Sequence, residues 1–356
     1  MNPQNRSPLP SPDRKIRFAL VGCGRISKNH IEALARHADR AEIVAVCDTR
    51  PEALQAAVEQ TGAPGFDSLD ALLASADADV VVLATPSGLH PQQAIQVARA
   101  GRHVLSEKPM ATKFEEGMAM VRACRDAGVK LFVVKQNRLN ATVQRVKRAI
   151  EQGRFGRIYL STVNVFWTRP QSYYDAAKWR GRWDLDGGAF MNQASHYVDL
   201  LDWLVGPVDN VHAYTATLAR DIEAEDTGVM SLRLRHGGLA SINVTMLTWP
   251  QNLEGSITIL GEKGTVRIGG TAVNKIEHWQ FAEAHEDDAQ VAASSYETGS
   301  VYGFGHPLYY DNVIRTLRGE AHAEVDGYEG LRSLEILIAA YRSARDGQRV
   351  GLPLVF

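Results

Sequence analysis

Two side chains of the 356-residue sequence stand where proton transfer is feasible, Lys108 and His196. His196 lies in "DLDGGAFMNQASHYVDLLDWL", Asp184 to Leu204. Phe190, Ala194, Tyr197, Leu201 and Leu204 recur there at helical steps and form one apolar stripe. Asn192, His196, Asp199 and Trp203 recur two residues out of phase. At about 100° per residue that offset puts them on the opposite side of the helix. A helix that only covered a core would leave that side to water. An amide, an imidazole, a carboxylate and an indole in a row are more than such a face requires, and an imidazole with an unperturbed pKa of about 6.5 is of a type that exchanges protons near neutrality. Asp199, at i+3 from His196, fits either an orienter of the imidazole or a residue pointing to water. Lys108 stands in "SEKPM", just after an apolar strand, where Pro109 stiffens the turn. An ammonium there polarises an oxygen, and desolvation would let it act as a base. A surface lysine paired with Glu107 fits the same spacing.

The first half of the chain must position Lys108. "KIRFALVGCG", "AEIVAVCD", "ADVVVLATP", "RHVLSEKP" and "VKLFVVKQN" read as apolar strands, and helical segments alternate with them. That pattern predicts a doubly wound parallel sheet of the α/β class, binding ligands beyond the carboxyl ends of its strands. "GCGRIS" puts Gly22, Gly24 and Ser27 in the places of a GxGxxG at the first strand–helix joint. The first glycine permits the turn, the second lets a pyrophosphate approach the backbone, and the helix start supplies N–H groups and a positive dipole. Ser27 replaces the third glycine with another small residue. Asp48 ends the second strand, where a carboxylate can hold both ribose hydroxyls, which favours NAD over NADP. Arg50 nearby is of the type that accommodates a 2′-phosphate. Glycines that only turn the chain, with Asp48 capping the next helix, fit the same residues.

The second half changes period. "RIYLSTVNVFW" reads as a strand, with hairpins turning at His236–Gly238 and Gly261–Gly264. This predicts an α+β domain with an open-faced antiparallel sheet. The boundaries read from the sequence are a disordered lead-in over 1–14, a dinucleotide-binding domain over 15–136 and a substrate-binding and oligomerisation domain over 137–356. The acidic stretch near 281–299 reads as a surface insertion. A net charge of -2 points to neither nucleic acid nor an anionic membrane surface. Cys23, Cys47 and Cys124 form no disulfide framework, no apolar run reaches about 18 residues and no signal peptide is visible, so a cytoplasmic location is expected. No HxxxH or HExxH spacing occurs, so no metal site is expected.

"GCGRI", "ATPSGLH", "SEKP" and "GGAFMNQASHYVDLLDWL", in this order and spacing, resemble the Gfo/Idh/MocA oxidoreductases over nearly the whole chain after the lead-in. The resemblance implies a Rossmann-type domain followed by an open-faced sheet that commonly builds homo-dimers or tetramers. It makes Lys108 and His196 the catalytic pair. It places NAD on Gly22, Gly24, Arg25, Ile26, Asp48, Thr85, Pro86, His90, Glu107, Lys108, Gln136 and Trp179. Many relatives carry an Asp four residues before the catalytic His; Asn192 stands there instead, and an amide cannot be a base. "KQNRLN", "WTRPQSYYDAAKWRGRWDLDGG" and "MNQASH" are similar to one branch, the WlbA-type UDP-N-acetylglucosaminuronate 3-dehydrogenases. That likeness implies oxidation of the C3′ hydroxyl of UDP-N-acetylglucosaminuronic acid to a 3-keto sugar, a step toward diacetamido uronic acids of surface polysaccharide. It leaves open whether NADH exchanges with solvent or is recycled in place by a keto acid such as 2-oxoglutarate.

A nucleotide uronate carries a diphosphate and a carboxylate, which arginine forks bind well. Arg138, Arg169, Lys178, Arg180 and Arg182 crowd the flanking segments, with Tyr173, Tyr174, Trp179 and Trp183 among them. The substrate residues expected are Lys108, Arg138, Arg169, Tyr173, Arg180, Asn192, Gln193 and His196, with His306 and Tyr310 of "GHPLYYDNVI" from the far side. Gly187 and Gly188 are expected to leave room for substrate ahead of the helix. Either Lys108 or His196 can be the base; His196 is favoured, with Lys108 stabilising the alkoxide. A dehydrogenase of another sugar or polyol, or a non-catalytic NAD or sugar sensor, remains as an alternative.

Overall fold

The computed structural model describes residues 14–298 and 303–355. The expected lead-in lies outside them except for Arg14, whose guanidinium pairs with Asp79 at 2.7 Å. The chain divides into two compact units, Met1–Lys135 with His306–Leu331, and Gln136–Gly305 with Arg332–Phe356.

The first unit runs β1 (Ile16–Val21), α1 (Ser27–Ala35), β2 (Ala41–Cys47), α2 (Pro51–Thr61), β3 (Gly65–Phe66), α3 (Leu69–Ser75), β4 (Val80–Leu83), α4 (His90–Arg99), β5 (His103–Ser106), α5 (Phe114–Asp126) and β6 (Leu131–Val133). All its strand pairs are parallel, in the order β3-β2-β1-β4-β5-β6. This is the doubly wound arrangement, with its crossover point between β1 and β4. β4 and β5 are buried at every residue because helices cover both faces, which explains their unbroken apolar runs. β3 and α3 are additions that the apolar pattern does not show, because a two-residue edge strand is too short for a period.

The second unit contains α6 (Ala141–Glu151), β7 (Ile158–Phe166), α7 (Gln171–Asp175), α8 (Ser195–Val205), β8 (Val208–Ala216), β9 (Thr227–Leu234), β10 (Leu239–Thr245), β11 (Glu254–Gly261), β12 (Gly264–Gly269), β13 (Lys275–Phe281) and α9 (Val291–Ser294). α10 (Gly305–Leu317) and α11 (Gly327–Asp346) each cross a unit boundary, and β14 (Val350–Gly351) follows. The sheet order is β13-β12-β11-β7-β10-β9-β8-β14. Both expected hairpins form, β9–β10 and β11–β12. The sheet is mixed rather than antiparallel throughout, because β7 runs parallel to β10. β9 and β10 alternate buried with more accessible residues, and α8 packs on β7, so one face is covered. The acidic stretch is tied down rather than loose. Asp287 meets Arg145 and Arg148 of α6 at 3.2 and 3.3 Å, and Asp288 meets Arg154 at 2.8 Å.

Candidate active site

The candidate residues fall into two groups, one in each unit. In the first unit, Gly22 has φ +94°, and a Cβ there would fall 2.6 Å from the Ala84 backbone. This is the crowded turn that only glycine fits. A Cβ on Gly24 would meet nothing nearer than Arg50 at 3.9 Å, so its space is open. Ile26 at the N-cap of α1 makes no side-chain cap. Asp48 accepts Cys23 N–H on Oδ2 and Arg50 N–H on Oδ1, both at 2.8 Å; Oδ1 also meets Arg50 Nε at 3.4 Å, and Oδ2 keeps a further lone pair for a ribose hydroxyl. Arg25 is exposed and Ile26 half-buried beside it. These features fit a dinucleotide.

Thr85 Oγ1 donates to Gln93 at 2.6 Å, and Pro86 caps the short turn that follows. His90 braces this wall rather than facing a ligand: its Nε2 lies 2.8 Å from Thr85 O and its Nδ1 3.0 Å from Pro109 O. Each ring nitrogen thus lies against a backbone carbonyl, and burial pushes the imidazole below its ordinary pKa. Lys108 follows β5 and is half-buried, before a cis peptide to Pro109. Glu107 is buried; its Oε2 accepts the backbone N–H of Lys108 at 3.0 Å. Its Oε1 lies 3.2 Å from His30 Nε2 and 3.8 Å from His306 Nε2. Burial alone would raise its pKa, but the two imidazoles outweigh burial and hold the carboxyl well below the usual range.

Tyr310, expected at the substrate, lies in the interior of the first unit. It is 0% exposed, its ring lies edge-on to Phe18 at 5.5 Å, and its hydroxyl sits 2.8 Å from His30 Nδ1. It packs in the core of the first unit. His306 is likewise buried, beside Glu107. His30, which no motif marks, is the centre of this cluster.

In the second unit the helix is interrupted. Ala189–Gln193 form a π-helical turn, and α8 starts only at Ser195. π-turns concentrate at functional sites because they redirect side chains. α8 has no wet side: His196 and Asp199 are both buried. Asp199 pairs with an arginine. Its two oxygens accept Arg138 Nη2 and Nε at 2.8 Å each, and the guanidinium lies 5.3 Å from the Trp203 ring. The row of polar residues therefore packs on the 3-10 turn Gln136–Leu139, and Arg138, expected at the substrate, forms a buried ion pair there. Gln136, expected at the cofactor, brings its side-chain nitrogen to 3.3 Å from His196 Nε2. Asn192 donates its amide to Asp186 Oδ1, and Asp186 Oδ2 accepts Gly181 N–H at 2.8 Å. Gln193 is buried beside them.

The arginine–aromatic segment does assemble. The Arg180 guanidinium stacks 4.2 Å from the Tyr173 ring and 5.5 Å from Trp179. Arg169 stacks 5.4 Å from Tyr173 and 5.2 Å from Trp167. Two cations on one ring make a positive, planar surface suited to an anionic, ring-bearing ligand. Arg182 is not part of it; it is exposed and pairs with Asp184. A Cβ on Gly188 would fall 1.9 Å from Glu225 Oε2, so this glycine admits the Glu225 carboxylate rather than a substrate.

Family models match two stretches: "Oxidoreductase family, NAD-binding Rossmann fold" over residues 16–135 and "Oxidoreductase family, C-terminal alpha/beta domain" over 147–352. The chain is 27% identical to D-apiose dehydrogenase of Paraburkholderia graminis, over 95% of this chain and 90% of the relative. It is 27% identical to inositol 2-dehydrogenase of Rhizobium meliloti, over 95% and 99%. Among solved structures, the WlbA dehydrogenase of Bordetella pertussis, in complex with NADH and UDP-GlcNAcA, superposes with TM-score 0.94 at 73% identity, over 96% of this chain and 99% of that one. The WlbA dehydrogenase of Chromobacterium violaceum, with the same two ligands, gives 0.93 at 66%, over 97% and 98%.

Proposed function

The chain belongs to the Gfo/Idh/MocA oxidoreductase family, and from that premise we propose that it oxidises the C3′ hydroxyl of UDP-N-acetylglucosaminuronic acid with NAD+. The observation that carries this reading is the likeness to WlbA dehydrogenases across nearly the whole length of both chains. Gly22, Gly24, Asp48 and the start of α1 hold the dinucleotide, whose nicotinamide supplies the hydride acceptor. His196 takes the hydroxyl proton, and the Lys108 ammonium stabilises the alkoxide as it becomes a carbonyl. Glu107 fixes the backbone from which Lys108 projects. Gln136 bears on the His196 ring and limits its orientation. Arg169 and Arg180, backed by Tyr173 and Trp179, bind the diphosphate or the carboxylate. Recycling of NADH by 2-oxoglutarate, assembly into a dimer or tetramer through the open sheet face, action in the cytoplasm and a role in surface polysaccharide synthesis complete the proposal.

The test is direct. Purified protein is given NAD+ with UDP-N-acetylglucosaminuronate, free glucose or inositol, each with and without 2-oxoglutarate, and reduced cofactor and 3-keto product are followed. Turnover of the UDP-uronate is expected, and turnover of a free sugar in its place would overturn the substrate assignment. Lys108→Ala and His196→Ala should each lower kcat by about 10²–10⁴-fold, the usual worth of a positioned acid, base or charge.

A further inference from the structure

The π-turn Ala189–Gln193 starts at Gly188, which stands at the N-cap and has no side chain to offer. A helix start leaves its first N–H groups without intrahelical acceptors, and in a buried segment each must find one. Here one distant residue serves two of them directly and a third through Tyr341. The Glu225 carbonyl accepts Ala189 N–H at 2.9 Å. Its Oε1 accepts Phe190 N–H at 2.8 Å. The same Oε1 accepts the Tyr341 hydroxyl at 2.8 Å, and that hydroxyl in turn accepts Met191 N–H at 3.1 Å. Gly188 has to be glycine because Glu225 occupies the place of its Cβ. The turn so held carries Asn192 and Gln193 and leads directly into His196.

We infer that Glu225, acting through Tyr341 and the space left by Gly188, is the positioning residue that sets the π-turn and hence the approach of Asn192, Gln193 and His196 to the substrate. The inference rests on the proposed dehydrogenase reading for its kinetic consequence but not for its structural one. Glu225→Ala removes the side-chain acceptor, Glu225→Gln restores an amide oxygen of the same reach, and Tyr341→Phe removes only the bridging hydroxyl. Hydrogen exchange of the Phe190 and Met191 amides is measured in all three full-length proteins, beside kcat and the KM for UDP-N-acetylglucosaminuronate and for NAD+. Losing such a hydrogen bond should speed exchange at these amides by about tenfold in Glu225→Ala and at Met191 in Tyr341→Phe, with recovery in Glu225→Gln. The kcat should fall by about tenfold or more while the KM for NAD+ stays within about twofold. Tyr341→Phe keeps the ring and its packing, so it decides the matter if Glu225→Ala does not fold. Unchanged exchange at both amides overturns the inference whether or not any substrate is turned over. Wild-type kcat in Tyr341→Phe, or a loss confined to the KM for NAD+, overturns the positioning role. Absence of turnover by the wild-type protein overturns the dehydrogenase reading instead, and leaves the exchange result to judge Glu225.

Discussion

Glu225 is buried at the start of a helical turn, where two influences oppose each other. Burial pushes its carboxyl up from 4.5 to about 7, and the nearby Asp186 adds to that; the Phe190 N–H and the Tyr341 hydroxyl pull it down, but by less. A carboxyl whose folded-state pKa is raised favours folding most below its unfolded value, and that contribution is lost as pH rises through the folded value. The window is therefore 4.5 to about 7, and at about 1.4 kcal/mol per pKa unit the change across it is about 3 kcal/mol. Glu225→Gln does not titrate, so wild-type stability should decline relative to this variant as pH rises through that window. Denaturant unfolding of both proteins across the window checks this, and two curves that stay parallel would refute it. Asp199 is a second case in which partner matters more than type. Its carboxylate neutralises a buried guanidinium, and leaving such a charge unpaired costs about 3–5 kcal/mol. Asp199→Ala should therefore show a large drop in melting temperature, where an acid on a wet helix face would show almost none.

At the level of elements, the two glycines of the first strand–helix turn have separable jobs. Gly22 sits at φ +94° against the Ala84 backbone, and forcing a side chain there costs about 1–3 kcal/mol in strain alone. Gly24 faces open space. Gly22→Ala should lower the melting temperature even without cofactor; Gly24→Ala should leave it unchanged yet weaken NADH binding, read by titration. Equal effects of both on stability would count against a ligand-facing Gly24. The same contrast explains what local pattern can reveal. β1, β2, β4 and β5, both hairpins, the glycine turn and the EKP turn all show themselves through periods or dipeptides within a few residues. Pairing of β7 with β10 does not, because parallel partners are chosen by the rest of the sheet. The break between the π-turn and α8 is hidden because Phe190, Ala194 and Tyr197 keep an unbroken apolar rhythm across it. The Phe190–Glu225 and Met191–Tyr341 bonds span 35 and 150 residues, and His30–Tyr310 spans 280, so no spacing rule reaches them. The buried acids that Arg138 and Asn192 meet, Asp199 and Asp186, are likewise not announced by any local pattern.

For the molecule as a whole, the large mixed sheet of the second unit poses the remaining question. Register places Tyr214 opposite Val229 and Leu239 opposite Leu160 on the side away from α8, and they are 66%, 44%, 52% and 37% exposed. Asn164 and Asn243 lie on the same side and bond each other at 3.0 Å. A broad sheet face with apolar residues interleaved among small polar ones resembles the centre of a protein–protein interface more than a surface meant for water. Closed symmetric assemblies are the usual way such a face is covered, and in a two-fold assembly a second copy of the chain presents the same patch to it. Light scattering behind a sizing column should therefore give a multiple of the 39.1 kDa chain mass. Val229→Lys puts an ammonium in the middle of that face without touching the covered side, where β9 alternates buried residues with exposed ones. Burying an unpaired charge in an interface costs several kcal/mol, so this variant should fall toward the monomer mass while keeping its NADH affinity. A wild-type chain that runs as a monomer, or a Val229→Lys variant that keeps the wild-type mass, would show that this face is not where the subunits meet.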